Sequence, residues 1–240
     1  MIRTIRIRKG LDVPVIGEPE QVVYPGPKVR HVALCGIDYV GLRPRLLVEV
    51  GDAVGLGQPL WQDKRDPAVV YASPGRGEVV AINRGARRVL ESVVVRLEDS
   101  VADDVSFEAL TPRQGEALDR SQIAKRLLRS GLWTAFRTRP FSRVPPSDSI
   151  PRAIFVTAID TRPLAPDPAV VVAGDPEAFS TGLQLLTRLT EGAVWLCTAP
   201  EWRITLPGVD RVHHVTFAGP HPAGLPGTHM HFLAPVDANH

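Results

Sequence analysis

The stretch VEVGDAVGLGQPL at residues 48–60, followed by YASPGRGEVVAI at residues 71–82, decides the fold of the first part of the chain. Gly51-Asp52 predicts a tight turn, because glycine adopts positive φ and aspartate hydrogen-bonds its own backbone. Ser73-Pro74-Gly75 predicts a second turn that leads into a strand at residues 78–82. Short strands separated by turns at this density favour a small flattened barrel over an open sheet.

The two glycine-rich turns also resemble those of the barrel-sandwich hybrid of biotinyl and lipoyl carrier domains. Such a domain either carries a cofactor on a lysine or serves as a docking module. Lys64 is the only lysine between the two motifs. Pro67 follows it and removes a backbone donor, so the hairpin departs from the carrier pattern. We therefore interpret Lys64 as a solvated hairpin lysine and keep a lipoyl-type carrier as an alternative.

Length and composition narrow the class of protein. A chain of 240 residues predicts two domains, and a formal net charge of +2 gives no argument for a nucleic-acid partner. Only four of the 28 basic residues are lysine, and arginine is the better ligand for carboxylates and phosphates. Two cysteines provide no disulfide framework, which favours a reducing cytoplasm. We also expect neither a signal peptide nor a membrane-spanning helix, which needs ~20 apolar residues.

The second half of the chain shows an α/β pattern. Asp119 predicts the N-cap of a helix that Gly131 ends, and Asp175 with Pro176 predicts the start of another. The apolar run at residues 153–158 predicts a central parallel strand, and residues 193–198 and 212–217 predict two more strands. We predict a barrel-sandwich-hybrid β domain at residues 1–112 and a Rossmann-like α/β domain at residues 113–240.

Three groups of residues are candidate sites. His221, His229 and His231 lie in a proline- and glycine-rich run without a nearby carboxylate, so a rigid loop at a subunit surface is favoured over a metal site. The arginines at positions 137, 139 and 143 form either a solvated loop or an anion or partner site. Cys35 is interpreted as a buried, unreactive thiol. No dinucleotide fingerprint, Walker A sequence or nucleophile elbow occurs in the chain.

Six ordered runs carry a family resemblance: GLDVPVIGEPEQ (10–21), IDYVGLRPRLLVEVGD (37–52), LRSGLWTAFRTRPFSRVP (128–145), IFVTAIDTRPLAPDP (154–168), LTRLTEGAVWLC (186–197) and GPHPAGLPGTHMHF (219–232). They resemble the A subunit of the bacterial sodium-translocating NADH:quinone reductase, over about the amino-terminal half of that family's usual length. The resemblance implies a protein that binds no cofactor itself, is not catalytic alone, and lies peripherally on the cytoplasmic side of the inner membrane. It also implies docking on other subunits, especially the membrane-embedded B subunit, with flavin and NADH on partner subunits and ubiquinone as substrate. A truncated stand-alone binding or scaffold module is the alternative.

The family is also distantly similar to the flavin- and NADH-binding subunit of respiratory complex I. There, a glycine-rich segment after Ser-Gly-Leu holds the flavin phosphate on backbone N–H groups. In this chain, bulky Trp133 and Phe136 occupy that segment, so the resemblance implies a cofactor loop that has degenerated. The run at residues 159–163 likewise replaces an acidic loop that contacts the nucleotide.

The resemblance also implies two segments near a quinone. The expected quinone-binding residues are Cys35, Gly36, Asp38, Tyr39, Val40, Gly41, Leu42, Trp133, Arg137, Arg139 and Phe141. The expected family-motif loop comprises Gly219, Pro220, His221, Gly224, Gly227, His229 and His231. Tyrosine and arginine donors suit quinone carbonyls, whereas the aliphatic and aromatic side chains suit a ring or tail.

Overall fold

A computed structural model of the chain describes residues 2–98, 102–203 and 210–236, with Pro112 and Glu116 described by their backbone alone. The chain divides into two compact units, each discontinuous in sequence. The α/β unit comprises the described residues of 1–25, 112–117 and 150–240, and the β unit comprises those of 26–111 and 118–149.

The described residues form short strands in the first half of the chain and most of the helices in the second. The strands are β1 (Arg3–Arg6), β2 (His31–Cys35), β3 (Pro44–Leu46), β4 (Ala53–Val54), β5 (Pro59–Asp63), β6 (Val70–Ala72), β7 (Gly77–Arg84), β8 (Leu90–Leu97), β9 (Ile154–Ala158), β10 (Val194–Thr198) and β11 (Val212–Ala218). The α-helices are α1 (Pro112–Glu116), α2 (Arg120–Arg129), α3 (Pro168–Val172), α4 (Pro176–Leu189) and α5 (Pro226–Leu233). Single 3₁₀ turns occur at Gly36–Asp38, Ala86–Arg88 and Leu132–Ala135.

The β unit is built from two antiparallel sheets. One has the strand order β2-β8-β7-β4 and the other the order β3-β5-β6. Both sheets contribute fully buried side chains, such as Val54 and Val93 from the first and Trp61 from the second. The predicted turns at residues 51–52 and 73–75 lie between these short strands. The glycine spacing therefore predicted this part of the fold correctly.

The α/β unit contains a parallel sheet with the strand order β1-β11-β10-β9. The predicted strand at residues 153–158 is present and parallel, but its predicted central position is wrong. It forms β9, at one edge of the sheet, whereas β10 and β11 are central. In β10 the side chains of Val194, Leu196 and Cys197 are completely buried. An apolar run therefore predicts a covered strand without fixing its place in the sheet.

The two units do not follow the predicted division at residue 112. Strand β1 pairs in parallel with β11, with Ile5 opposite Phe217, and so belongs to the α/β unit. Conversely, helix α2 and the 3₁₀ turn Leu132–Ala135 belong to the β unit. The prediction used local composition, which contains no information about pairing between residues more than 200 positions apart.

Helix starts follow the predicted capping residues. The Asp119 side chain accepts from the backbone N–H of Gln122, whose side chain accepts from the N–H of Asp119, a complete capping box for α2. The Asp175 side chain accepts from the N–H of Ala178, and Pro176 is the first residue of α4. None of the helices in the described ranges combines the length and the apolar character that a membrane crossing requires.

Gly131 combines two constraints, which makes it a sensitive test of the β unit. Its φ is +76°, and a Cβ at this position would lie 2.9 Å from the Cβ of Ala72 in β6. We expect Gly131→Ala to lower the free energy of unfolding by about 1–3 kcal/mol, because alanine strains the left-handed backbone. Denaturant unfolding followed by circular dichroism measures this change. Gly26→Ala, where a Cβ meets no atom within 4 Å, is the matched control. Equal midpoints for the two variants would contradict the prediction.

Candidate functional site

A cleft of about 550 Å³ lies within the β unit. It is formed by the turn that follows β2, the end of β5 and its following loop, strand β6, and the chain at residues 138–148. The lining residues are Tyr39, Val40, Leu42, Asp63, Arg65, Asp66, Val69, Tyr71, Thr138, Arg143, Val144, Pro145, Pro146, Ser147 and Asp148. Its volume is in the range of small-molecule sites, ~300–1,000 Å³.

Stacked aromatic rings form one wall of the cleft. The ring of Tyr39 meets that of Tyr71 edge-on, with centroids 4.6 Å apart, and Tyr71 stacks on Trp61 at 5.5 Å. Trp61 is fully buried and Tyr71 is 2% exposed, so these rings have little freedom. The guanidinium of Arg137 lies over the Tyr39 ring, 5.1 Å from its centroid. The wall is therefore rigid, apolar on its face and capped by a positive charge.

An ion pair connects this wall to strand β5. The Arg65 guanidinium lies 2.8 Å from the Asp63 carboxylate and donates a 2.7 Å hydrogen bond to the carbonyl of Gly41. Burial acts to raise the pKa of the Asp63 carboxyl. The hydrogen bonds and the charge of Arg65 outweigh burial, so this pKa lies below its usual value. Asp63 therefore stays ionised and keeps Arg65 in contact with the Tyr39 turn.

The opposite wall is the chain from Thr138 to Asp148. The Trp133 indole N–H donates to the carbonyl of Pro145 at 2.9 Å, and the Ser147 N–H donates to the Asp66 carboxylate at 2.7 Å. Trp133 is only 4% exposed. These two bonds hold the proline-rich segment against the rest of the β unit. Trp133 therefore supports the cleft from behind this wall.

Comparisons with known proteins decide the family of the chain. The family model described as the NqrA second alpha/beta domain matches residues 118–240, which is half of the chain. The NqrA N-terminal barrel-sandwich hybrid domain matches residues 5–98. The chain belongs to the NqrA family. The predicted fold class, a barrel-sandwich hybrid followed by an α/β domain, is thereby confirmed.

Relatives of the chain carry the same name in several bacteria. The chain is 50% identical over 232 residues to the A subunit of the Na(+)-translocating NADH-quinone reductase of Yersinia pseudotuberculosis, covering 97% of this chain and 52% of that protein. It is 51% identical over 237 residues to that of Photorhabdus laumondii, covering 98% and 52%. For Rhodopirellula baltica the identity is 50% over 234 residues, covering 98% and 51%. The chain thus spans about half the length of these members of the NqrA family.

The structure brings together much of the predicted quinone set. Tyr39, Val40 and Leu42 line the cleft directly. The Gly41 carbonyl accepts the hydrogen bond from Arg65, and the Arg137 guanidinium lies over the Tyr39 ring, so both residues contact the aromatic wall. Trp133 lies behind the segment at residues 138–148. The remaining predicted residues are not among those that line it: Cys35, Gly36, Asp38, Arg139 and Phe141. Cys35 lies at the end of β2 and is half-buried, whereas a buried thiol was predicted.

Several lining residues were not predicted as site residues: Tyr71, Asp63, Arg65 and the segment at residues 144–148. Tyr71 lies at the start of the second glycine-rich motif, which was interpreted only for its turn. Two consecutive prolines in the missed segment suit a stiff wall, and this signal was available in the sequence. The carrier interpretation had drawn attention to Lys64 instead of its neighbours. Lys64 is exposed, as expected for a solvated hairpin lysine, and its backbone N–H donates to the Arg43 carbonyl at 2.8 Å.

The predicted family-motif loop is a loop only in its first half. Gly219, Pro220, His221 and Gly224 precede α5, whereas Gly227, His229 and His231 lie within it. Thr161 holds the loop: its hydroxyl accepts from the Gly224 N–H at 3.0 Å and shares a hydrogen bond of 3.0 Å with the Nδ1 of His221. The loop thus packs at the carboxyl end of β9, where Thr161 follows the strand.

The two histidines of α5 point to different environments. Residues two positions apart on a helix differ by about 200° in direction, so a His-x-His pair cannot share a ligand there. His229 is fully buried and donates from Nε2 to the Ala223 carbonyl at 2.8 Å, whereas His231 is exposed. The described part of the chain contains no group of three or more side chains arranged to hold a metal ion.

Burial of histidine predicts acid sensitivity. Burial lowers the pKa of His229 below its ordinary value of 6.5, against the opposing hydrogen bond to Ala223, and burial also lowers the pKa of His214. As the pH falls below about 6.5, these two histidines therefore take up protons in the unfolded chain before they do so in the folded chain. Their contribution to the free energy of unfolding is present above that pH and is lost below it. We expect unfolding midpoints to fall from pH 7 to pH 5 in denaturant titrations, and His229→Gln to flatten that dependence. His31→Gln, which removes an exposed histidine, should keep the original slope. An unchanged slope in the His229 variant would refute this assignment.

Proposed function

We propose that this chain acts as a subunit of a sodium-translocating NADH-quinone reductase and that its cleft in the β unit receives the quinone. One observation carries the proposal. Two distant segments of the chain line one cleft: the turn at residues 39–42, which was expected to lie near a quinone, and the segment at residues 138–148, which begins within the second expected segment at Thr138. A cleft with a rigid aromatic wall and a few hydrogen-bond donors suits a flat ring with carbonyl oxygens.

The lining chemistry supports this ligand class over a purely charged metabolite. A quinone ring is flat and apolar, so the Tyr39 ring, supported edge-on by buried Tyr71, gives it an aromatic contact surface. Val40, Leu42 and Val69 add aliphatic contacts, and Val40 is 53% exposed at the cleft. The quinone tail would extend across these aliphatic side chains. The hydroxyl and guanidinium groups of the lining supply donors for the carbonyl oxygens.

Membership of the complex rests on the names of the relatives. Eight relatives match almost the whole chain at about 50% identity, and each is named as the A subunit of the Na(+)-translocating NADH-quinone reductase. In the proposed arrangement the chain is peripheral, on the cytoplasmic side, and docks on the membrane-embedded B subunit. Flavin and NADH lie on partner subunits, and this chain contributes binding and assembly without a cofactor of its own.

Replacing the central aromatic residue of the cleft tests the proposal. We expect Tyr39→Ala to weaken the binding of a short-chain ubiquinone about tenfold or more, because one truncated anchor in a well-packed site costs roughly 2 kcal/mol. Titration of the purified chain by isothermal calorimetry measures this affinity. Tyr24→Ala, at an exposed tyrosine of the α/β unit, is the matched control and should bind like the unaltered chain. Equal binding by both variants would contradict the cleft as the quinone site.

A further inference from the structure

Two hydrogen-bond donors of the cleft have no partner among the described residues. The hydroxyl of Tyr71 makes no hydrogen bond to any of them, although Tyr71 lines the cleft and is only 2% exposed. The guanidinium of Arg143 likewise forms no hydrogen bond or ion pair with the described residues. It lies over the Phe141 ring, 5.7 Å from the ring centroid. A polar group as buried as the Tyr71 hydroxyl is almost always paired, whereas the Arg143 side chain is exposed to solvent; both donors are available to a ligand or to water.

The other charged groups of the lining are nearly all engaged. Asp63 and Arg65 form an ion pair, and the carboxylate of Asp66 accepts from the N–H groups of Ser147 and Ala68. Asp148 lines the cleft too, and Arg143 is the cation left available among the described lining residues. Arg143 therefore offers an unpaired positive charge to a ligand beside it, on a lining that also carries the Asp148 carboxylate.

The surroundings hold Tyr71 in place and leave room for Arg143 beside the Tyr39 turn. Tyr71 is held between Trp61, which stacks on it, and Tyr39, which meets it edge-on. Burial, with the charges of Asp63 and Tyr39, raises the pKa of Tyr71 above its usual value, so its hydroxyl remains a proton donor. The Arg143 side chain crosses Gly41, whose Cβ position would lie 3.3 Å from its Nε. Gly41, with φ of +72°, thus leaves room for the guanidinium beside the turn.

We propose that the Tyr71 hydroxyl and the Arg143 guanidinium are the two donors that hold the ligand's oxygens, and that Arg143 makes the cleft bind an anionic quinone more tightly than a neutral one. This inference rests on the proposed function and adds a preference for charge to it. A quinone that accepts electrons gathers negative charge on its oxygens, and a guanidinium stabilises that charge through charge-assisted hydrogen bonds.

A matched pair of ligands tests the preference. 2-Hydroxy-1,4-naphthoquinone is an anion at neutral pH, and 2-methoxy-1,4-naphthoquinone is its neutral counterpart with the same three oxygens. Calorimetric titration of the full chain should show about tenfold tighter binding of the anion, as expected for a hydrogen bond to a charged group. Arg143→Gln should abolish this difference while weakening the binding of the neutral ligand less than about threefold. Arg143→Lys, which keeps the charge, should retain part of the difference.

The remaining variants separate the two donors. Tyr71→Phe should weaken the binding of both ligands about fivefold and leave their ratio unchanged, because it removes one neutral hydrogen bond. Lys125→Gln removes an exposed cation on α2 and should alter neither affinity. Equal affinity of the unaltered chain for both ligands, or a ratio that survives Arg143→Gln, overturns the inference and leaves the proposed function standing. If the chain binds neither ligand, the proposed function fails and this inference fails with it.

Discussion

The contact between the Arg65 guanidinium and the carbonyl of Gly41 holds the cleft together. It joins the turn that carries Tyr39 to the end of β5, and the ionised Asp63 keeps Arg65 in place. The Tyr39 ring, the position of Gly41 and the room for Arg143 all depend on that turn. A partly exposed ion pair contributes little to global stability, so its importance in this site is positional.

Side-chain to backbone bonds also hold the opposite wall. The proline-rich segment at residues 144–148 has no regular secondary structure and relies on bonds from Trp133 and Asp66. Buried Trp133 lies in the 3₁₀ turn after Gly131, and its indole N–H supports the neighbouring cleft through the Pro145 carbonyl.

Local sequence signals predicted the local structure well. Asp119 and Asp175 each start the helix that their position indicated, because an N-cap requires only the next three residues. The pairing of β1 with β11 and the edge position of β9 were out of reach, since both depend on residues distant in sequence. The candidate site divides in the same way. The Tyr39 turn was predicted from a resemblance and Arg143 from its basic cluster, whereas Tyr71, and the placement of all three on one cleft, required the fold.

Photolabelling inside the assembled complex tests the account most directly. The chain would carry an affinity tag, membranes containing the reductase would be irradiated with a photoreactive ubiquinone, and the labelled positions would be mapped by mass spectrometry. The account predicts that the tagged chain elutes with the membrane subunits and carries label both at residues 39–42 and at residues 138–147. Label confined to other parts of the chain, or to other subunits while this one is unlabelled, would contradict it.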